Sequence, residues 1–120
     1  MPTNLHRTQP FVTADGSLIR EVAGGVSQRT RNQSLAEATV PAGAETAEHF
    51  HRASEEIYFF VGGAGRMRLG GEELEVAEGD CVVIDPGVRH KLWNPGPEPL
   101  RLLCCCSPPY SHEDTVLVGG

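Results

Sequence analysis

The sequence has 120 residues, a formal net charge of −6 and a pI near 5.3. This length suits one domain that buries a real core. The acidic balance, without a basic stripe, argues against nucleic-acid binding, and no segment approaches the roughly 18 apolar residues of a membrane span. We therefore predict a single domain over residues 1–120 with neither nucleic acid nor membrane as a partner.

The N-terminus and the cysteines indicate a cytoplasmic protein. Met1 to Pro10 contains no apolar segment of the secretory type. The cysteines are Cys81 and the run Cys104 to Cys106, and adjacent cysteines pair poorly with each other. The run could bind a metal, but zinc ligands are usually spaced in pairs two to four residues apart. We prefer to interpret the run as small apolar side chains that alternate between the two faces of a buried strand.

Short β-rich runs recur along the chain, each bounded by turn residues such as glycine and proline. Asp15-Gly16 is a good hairpin turn between the first two runs. The tail from Ser107 onward, with its two prolines, is expected to leave the sheet. The predicted strands are Phe11–Thr13, Leu18–Val22, Leu35–Val40, Ile57–Val61, Arg66–Leu69, Glu73–Val76, Cys81–Ile84, His90–Asn94 and Leu100–Cys106. So many short strands predict an antiparallel all-β sandwich or barrel, in which closure protects the edges.

Three of the five histidines stand in a pattern with chemical meaning. His49 and His51 are two apart, so on a strand both imidazoles face the same side. Glu56 and His90 each open a later β-rich run. Imidazole nitrogens and a carboxylate oxygen suit Mn, Fe, Co, Ni or Zn. The spacing alone is modest support for a metal site, and His6 and His112 are interpreted as surface residues.

Two longer motifs resemble those of the cupin family. Gly43 to Gly63 reads GAETAEHFHRASEEIYFFVGG, with the glycine, H-x-H, glutamate and glycine spacing of the first cupin motif. Gly79 to Asn94 reads GDCVVIDPGVRHKLWN and is similar to the second, except that Asp85 stands where a proline is usual. The chain is identified as a small single-domain cupin, with a core of about residues 33–106, N-terminal strands in 1–32 and a tail at 107–120.

The resemblance implies an antiparallel jelly-roll β-barrel that holds one divalent metal ion on its inner face. The implied ligands are His49, His51, Glu56 and His90. Either Glu55 or Glu56 fits the spacing, and the closing turn at Gly63 favours Glu56. Mn or Fe is favoured, with Ni, Co or Zn as possible alternatives. In octahedral geometry this ligand set leaves two positions open.

The alternation of side chains along each strand predicts which residues surround the metal site. Tyr58 and Phe60 share a face with Glu56, Leu92 shares one with His90, and Met67 lies on the apolar face of its own strand. These side chains predict an apolar pocket for a small substrate, because small barrels are nearly filled by their own side chains. The alternative is that Phe60, Met67 and Leu92 are simply core.

Two classes of function remain open. A dioxygenase-like oxidoreductase acting on a small organic substrate is favoured, with a metal-dependent isomerase or lyase as the alternative within the enzyme class. A non-enzymatic small-molecule-binding cupin is the other possibility. The resemblance also implies a homodimer.

Overall fold

The computed structural model describes residues 2–25 and 28–119 and shows an antiparallel jelly-roll β-barrel of two sheets. Within those residues lie a single turn of 3-10 helix, Leu5–Arg7, and eleven strands. The strands are β1 (Phe11–Val12), β2 (Leu18–Ala23), β3 (Ser34–Val40), β4 (His49–His51), β5 (Glu55–Gly62), β6 (Ala64–Leu69), β7 (Glu72–Ala77), β8 (Cys81–Ile84), β9 (His90–Trp93), β10 (Leu100–Ser107) and β11 (Thr115–Leu117). The predicted antiparallel all-β barrel is confirmed.

The two sheets bring distant parts of the chain together. One sheet has the order β1-β2-β3-β10-β5-β8, and the other has the order β11-β4-β9-β6-β7. The predicted hairpin turn at Asp15-Gly16 joins β1 to β2, and Gly16 adopts a φ of 91°, which favours glycine. The ends of the chain therefore contribute strands to opposite sheets.

Alternation along β5 separates the inside of the barrel from its outside. Glu56, Tyr58 and Phe60 are buried, whereas Ile57 and Phe59 are 37% and 43% exposed. This period of two is the one expected for a strand with one face on the core. The most fully buried apolar side chains form the core, and they include Phe60, Met67, Ile84, Leu100 and Leu102.

The connection from β5 to β6 requires glycine. Gly63 has a φ of 79°, and a Cβ atom there would collide with the carbonyl oxygen of Pro99. The backbone of β10 can therefore approach this corner closely. This corner determines where β5 ends. Because side chains alternate along the strand, it also determines that Glu56 and not Glu55 faces inward.

The turn before β9 forms despite Asp85, which replaces the usual proline. The N–H of Val88 donates to the carbonyl of Asp85 (3.2 Å), and Gly87 has a φ of 83°. The N–H of Gly87 also donates to the carbonyl of His51 at 2.7 Å. The turn is thus tied directly to β4, and it delivers His90 to the inner face.

The tail leaves the sheet of β10 at Ser107, as predicted, but it does not leave the barrel, because β11 lies in the other sheet. After β10 ends at Ser107 the chain returns, and β11 pairs antiparallel with β4, with Thr115 opposite His51 and Leu117 opposite His49. Without β11, the strand that carries two histidines would be an unpaired edge of its sheet. The prolines at 108 and 109 interrupt the chain between the two strands and do not end its participation in the barrel.

The outer face of the six-stranded sheet carries exposed apolar side chains, among them Phe59 and Val83, the latter 54% exposed. The homodimer stays a prediction, since the structure contains one chain. Arg66 and Arg68 also point outward, where they pair with Glu73. Within the described ranges, no helix has the length and apolar character that a membrane crossing requires.

Candidate metal centre

Three strands bring four potential ligands to one point inside the barrel. β4 presents His49 and His51 on its inner face, β9 places His90 directly opposite His49, and β5 supplies Glu56 from the other sheet. All four side chains are buried, and one ligand atom from each lies within 4.8 Å of all the others. Glu55 is exposed on the outer face of β5, so the carboxylate in the cluster is that of Glu56.

Hydrogen bonds outside the cluster fix the tautomer of each histidine. Nδ1 of His49 lies 2.9 Å from the carbonyl of Ala47, and Nδ1 of His90 lies 3.0 Å from that of Val88. A carbonyl oxygen only accepts, so both Nδ1 atoms carry the hydrogen. The lone pairs of these two rings are therefore on Nε2, as a metal ligand requires.

His51 is oriented in the same way by the tail. Its Nδ1 lies 3.1 Å from the hydroxyl oxygen of Thr115, and that hydroxyl donates to the carbonyl of Ser111 at 2.9 Å. Because the hydroxyl hydrogen is used, the oxygen accepts from Nδ1 of His51. Thr115 therefore fixes the third imidazole, and its contribution depends on the pairing of β11 with β4.

In their deprotonated forms the four converging atoms are all acceptors, which is the arrangement that a cation needs. Nε2 of His90 is fully buried and has no hydrogen-bond partner in the described ranges, although it lies 3.4 Å from Oε1 of Glu56. Nε2 of His51 lies 3.1 Å from the same oxygen, a contact that requires a proton on that nitrogen. Buried acceptors without donors are costly. The residues present therefore fit a divalent ion.

The charges of the cluster shift its pKa values in opposite directions. Burial alone would raise the pKa of Glu56, but the hydrogen bond from His51 and the close rings of His51 and His90 outweigh it and hold the pKa at about 2. Burial would likewise lower the pKa of His51, but the carboxylate of Glu56 raises it. Burial and the neighbouring His90 lower the pKa of His49. Without an ion, the histidine proton is thus held between His51 and Glu56.

The second oxygen of Glu56 is held by a thiol. Sγ of Cys106 donates to Oε2 of Glu56 at 3.2 Å. Burial, and then the charge of Glu56, raises the pKa of Cys106, so the thiol keeps its proton and remains a donor. Cys104 and Cys106 both face the cavity, whereas Cys105 lies on the other face of β10. The alternation predicted for the cysteine run is what the structure shows, and all four cysteines are unpaired.

A cavity of about 50 Å³ adjoins the cluster and is mostly apolar. On the same measure a single water needs roughly 10–15 Å³, so the space suits a small molecule. Tyr58 and Leu92 line it. Phe60 and Met67 do not line it and belong instead to the fully buried apolar core.

Several side chains at the cavity lie outside the metal and pocket residues predicted from the sequence. Asp15 comes from the β1–β2 turn, and its Oδ2 lies 3.6 Å from Nε2 of His49. Tyr110 comes from the tail, and its ring stands 6.0 Å from that of His51. Thr115 and Cys106 complete the group. No spacing rule points to these residues, since each reaches the cavity only through the tertiary fold.

Comparison with known proteins agrees with this architecture. A family model described as the cupin domain matches residues 36–106. An uncharacterised protein of Methanocaldococcus jannaschii is 47% identical over 116 residues, which cover 97% of this chain and 93% of that protein.

Two solved structures have a similar fold. The polyketide cyclase RemF from Streptomyces resistomycificus has a TM-score of 0.84 at 17% identity, over 100% of this chain and 86% of that one. A predicted oxalate decarboxylase of Thermotoga maritima has a TM-score of 0.77 at 19% identity, over 89% and 98% of the two chains. At these identities the likeness shows the fold alone.

Proposed function

The chain belongs to the cupin family, and we propose that it is a metal-dependent enzyme of the dioxygenase type that acts on a small organic substrate. The proposed ligands are His49, His51, Glu56 and His90. Iron or manganese is the favoured ion, because imidazole and carboxylate together suit these metals. Nickel, cobalt and zinc accept the same donors.

One observation carries the proposal. Nε2 of His90 is buried and has no hydrogen donor within the described ranges, and it points at the place where the other ligand atoms converge. Nδ1 of each histidine is already occupied by an acceptor outside the cluster. The protein has therefore oriented all three rings with Nε2 inward, and each ring can offer a lone pair to an ion once the proton shared by His51 and Glu56 is displaced. Such orientation from outside the ligand set is typical of metal centres.

The cavity supports a small substrate that reaches the ion. Tyr58 lies on its wall, and burial, followed by the charge of Glu56, raises the pKa of that phenol well above its usual range. The phenol therefore stays protonated, and its hydroxyl is available as a donor. A divalent ion held beside this cavity would supply Lewis acidity and, in the case of iron or manganese, redox chemistry toward O₂.

An isomerase or lyase is the second candidate, and the polar residues between β1 and β2 that line the cavity favour it. Thr13, Asp15 and Ser17 all line the cavity, and Oδ2 of Asp15 lies 3.6 Å from Nε2 of His49. Polar groups at this place can hold an oxygenated substrate whose reaction needs no O₂. A small enol, a diketone or a related acid suits either chemistry, so O₂ uptake separates the two.

The four unpaired cysteines support a reducing compartment, and we propose the cytoplasm.

The first experiment is elemental mass spectrometry on protein purified without a polyhistidine tag. We expect near-stoichiometric iron or manganese in the wild type and loss of the metal in His51→Ala. His6→Ala is the matched control, because His6 is exposed in the N-terminal segment and should leave the metal content unchanged. A wild-type protein that holds no metal, even after reconstitution with each candidate ion, would contradict the proposal.

The metal-loaded protein is then given small enols, diketones and hydroxy acids in an oxygen electrode. Consumption of O₂ with one substrate class, absent in His51→Ala, supports the dioxygenase. Turnover of a substrate under anaerobic conditions supports the isomerase or lyase instead.

A further inference from the structure

The β1–β2 turn places a carboxylate over the metal centre. Oδ2 of Asp15 lies 3.6 Å from Nε2 of His49, and the side chain of Asp15 is only 12% exposed. The turn is fixed to the segment just before β4, because the N–H of Ala47 donates to the carbonyl of Asp15 at 2.7 Å. Ala47 in turn accepts from Nδ1 of His49. Asp15 and His49 are thus held against each other through one residue.

The orientation of this carboxylate is fixed by its other oxygen. Oδ1 of Asp15 accepts from the hydroxyl of Thr13 at 2.6 Å, and from the N–H and the hydroxyl of Ser17 at 2.9 and 2.6 Å. Three donors saturate Oδ1. Within the part of the chain that the structure describes, no hydrogen bond to Oδ2 is found. The turn therefore uses one oxygen of Asp15 for its own structure and leaves the other facing the cavity.

Two acceptors face each other across the 3.6 Å gap. Nδ1 of His49 carries the hydrogen that is donated to Ala47, so the neutral ring presents a lone pair at Nε2. Oδ2 of Asp15 is the carboxylate oxygen that the turn does not use, and it is an acceptor as well. Asp15 is not part of the group whose ligand atoms lie within 4.8 Å of one another, so it stands outside the ligand set. What complements Oδ2 is a hydrogen donor located in the cavity.

We propose that Asp15 is a substrate-positioning residue that accepts a hydrogen bond from an O–H or N–H group of the substrate. It thereby selects small chelating molecules with a protic group, such as α-hydroxy acids or enols, over analogues in which that hydrogen is replaced by carbon. The inference rests on the proposed function, since the substrate must be held beside the metal centre.

Charge supports the same selection. An anionic oxygen placed against Oδ2 of Asp15 would be repelled, and in this mostly apolar cavity the repulsion is weakly screened. A hydroxyl or amine in that place removes the repulsion and makes a charge-assisted hydrogen bond. The turn therefore discriminates against substrates whose nearest group is an ether, an ester or a second carboxylate.

The test compares two probes that differ in one group, because the hydroxyl hydrogen of the first is replaced by a methyl group in the second. The Mn²⁺-loaded protein is titrated with glycolate or with methoxyacetate, and displacement of water is followed by the relaxation of solvent protons. The ratio of the two affinities is measured in the wild type and in Asp15→Asn. Asparagine keeps an oxygen for the donors of Thr13 and Ser17 but presents an amide to the cavity in place of Oδ2. Asp80→Asn is the control, because Asp80 is an exposed turn carboxylate whose side chain accepts from Ala77 N–H.

We expect the preference for glycolate to fall by about tenfold in Asp15→Asn, because a hydrogen bond to a charged group is lost and the amide donates to the ether instead. Asp80→Asn should keep the wild-type ratio. An unchanged ratio in Asp15→Asn overturns the proposal. A loss of Mn²⁺ itself in Asp15→Asn overturns it too, since Asp15 would then be a ligand.

Binding of Mn²⁺ to the wild type is measured first, before any probe is added. If no relaxation enhancement is seen, Mn²⁺ does not bind. That result removes the metal centre and, with it, the role of Asp15. A protein that binds Mn²⁺ and both probes, without discrimination in any variant, leaves the metal centre standing and removes the role of Asp15 alone.

Discussion

Two parts of the chain form the wall around the candidate metal centre, and they contribute different chemical groups to it. The central strands β4, β5 and β9 supply the four atoms that can bind an ion. The terminal segments, namely the β1–β2 turn and the tail with β11, supply none of those atoms but add Asp15 and Thr115 around them. We expect the central part to determine whether an ion binds, and the terminal part to determine how the ligands are oriented and which small molecules fit beside them.

The difference predicts a hierarchy of effects. Removal of a ligand from the central strands should abolish binding, because a cation loses a bond that nothing replaces. Changes to the terminal segments should weaken binding in steps, because the rings keep their lone pairs and lose only their orientation. Variants that break this order would show that the division between the two parts is wrong.

The largest effect is expected for Glu56→Gln. This change removes the negative charge of the ligand set, and metal affinity should fall by more than about 100-fold, beyond the range for partners outside the coordination sphere. Glu55→Gln is the matched control, since Glu55 is the neighbouring residue and is exposed on the outer face of β5. Isothermal titration with Mn²⁺ measures both. Equal losses in the two variants would contradict the assignment of the inner face.

The next effect concerns the tail. Thr115→Val removes the oxygen that accepts from Nδ1 of His51 and leaves that ring free to turn. We expect metal affinity to fall by about 10- to 100-fold. Thr115→Ser keeps the hydroxyl and should restore most of the affinity. If the serine variant is as weak as the valine variant, the role of Thr115 lies in packing and not in its hydroxyl.

Proton competition gives a third, graded effect. The carboxylate of Glu56 overcomes the effect of burial and raises the pKa of His51, so the metal-free cluster holds a proton that an ion must displace. Below that pKa, affinity should fall as the pH falls, by about tenfold per unit for one displaced proton. Above it, this dependence disappears. His49 adds little, because burial lowers its pKa and its Nε2 is already free.

This prediction is measured as the Kd for Mn²⁺ between about pH 5 and pH 8, with proton release followed in the same titrations. An affinity that is flat over the whole range would show that His51 and Glu56 share no proton in the metal-free protein.

The sequence predicted the two parts of the wall unequally, for a physical reason. A strand of period two makes His49 and His51 share a face whatever surrounds them, and the cupin motifs add Glu56 and His90 to the same place. The barrel class follows from short runs separated by glycine and proline. These features are local, or are repeated throughout a family, so a single sequence displays them.

The terminal part depends on contacts that no local rule contains. Thr115 reaches His51 across 64 positions of sequence, and the prolines before it predicted an exit from the sheet. Asp15 was interpreted as a turn residue, which it is, but only one of its two carboxylate oxygens serves the turn. Phe60 and Met67 show a different limit of the sequence. The alternation of side chains along a strand places both inside the barrel, but it does not tell whether they line the cavity or pack in the core.

The smallest effect is expected for Cys106→Ala, which tests whether β10 belongs to the central part. Cys106 belongs to β10, within the segment matched by the cupin model, but it acts on the ion only through Oε2 of Glu56. Cys106→Ala should lower metal affinity by only about twofold to tenfold, since one hydrogen bond is worth roughly 0.5–1.5 kcal/mol and a thiol is a weak donor. Cys105→Ala, on the opposite face of the same strand, should change nothing. A loss in Cys106→Ala as large as in Glu56→Gln would make the thiol a ligand, and the central part of the wall would then include a fourth strand.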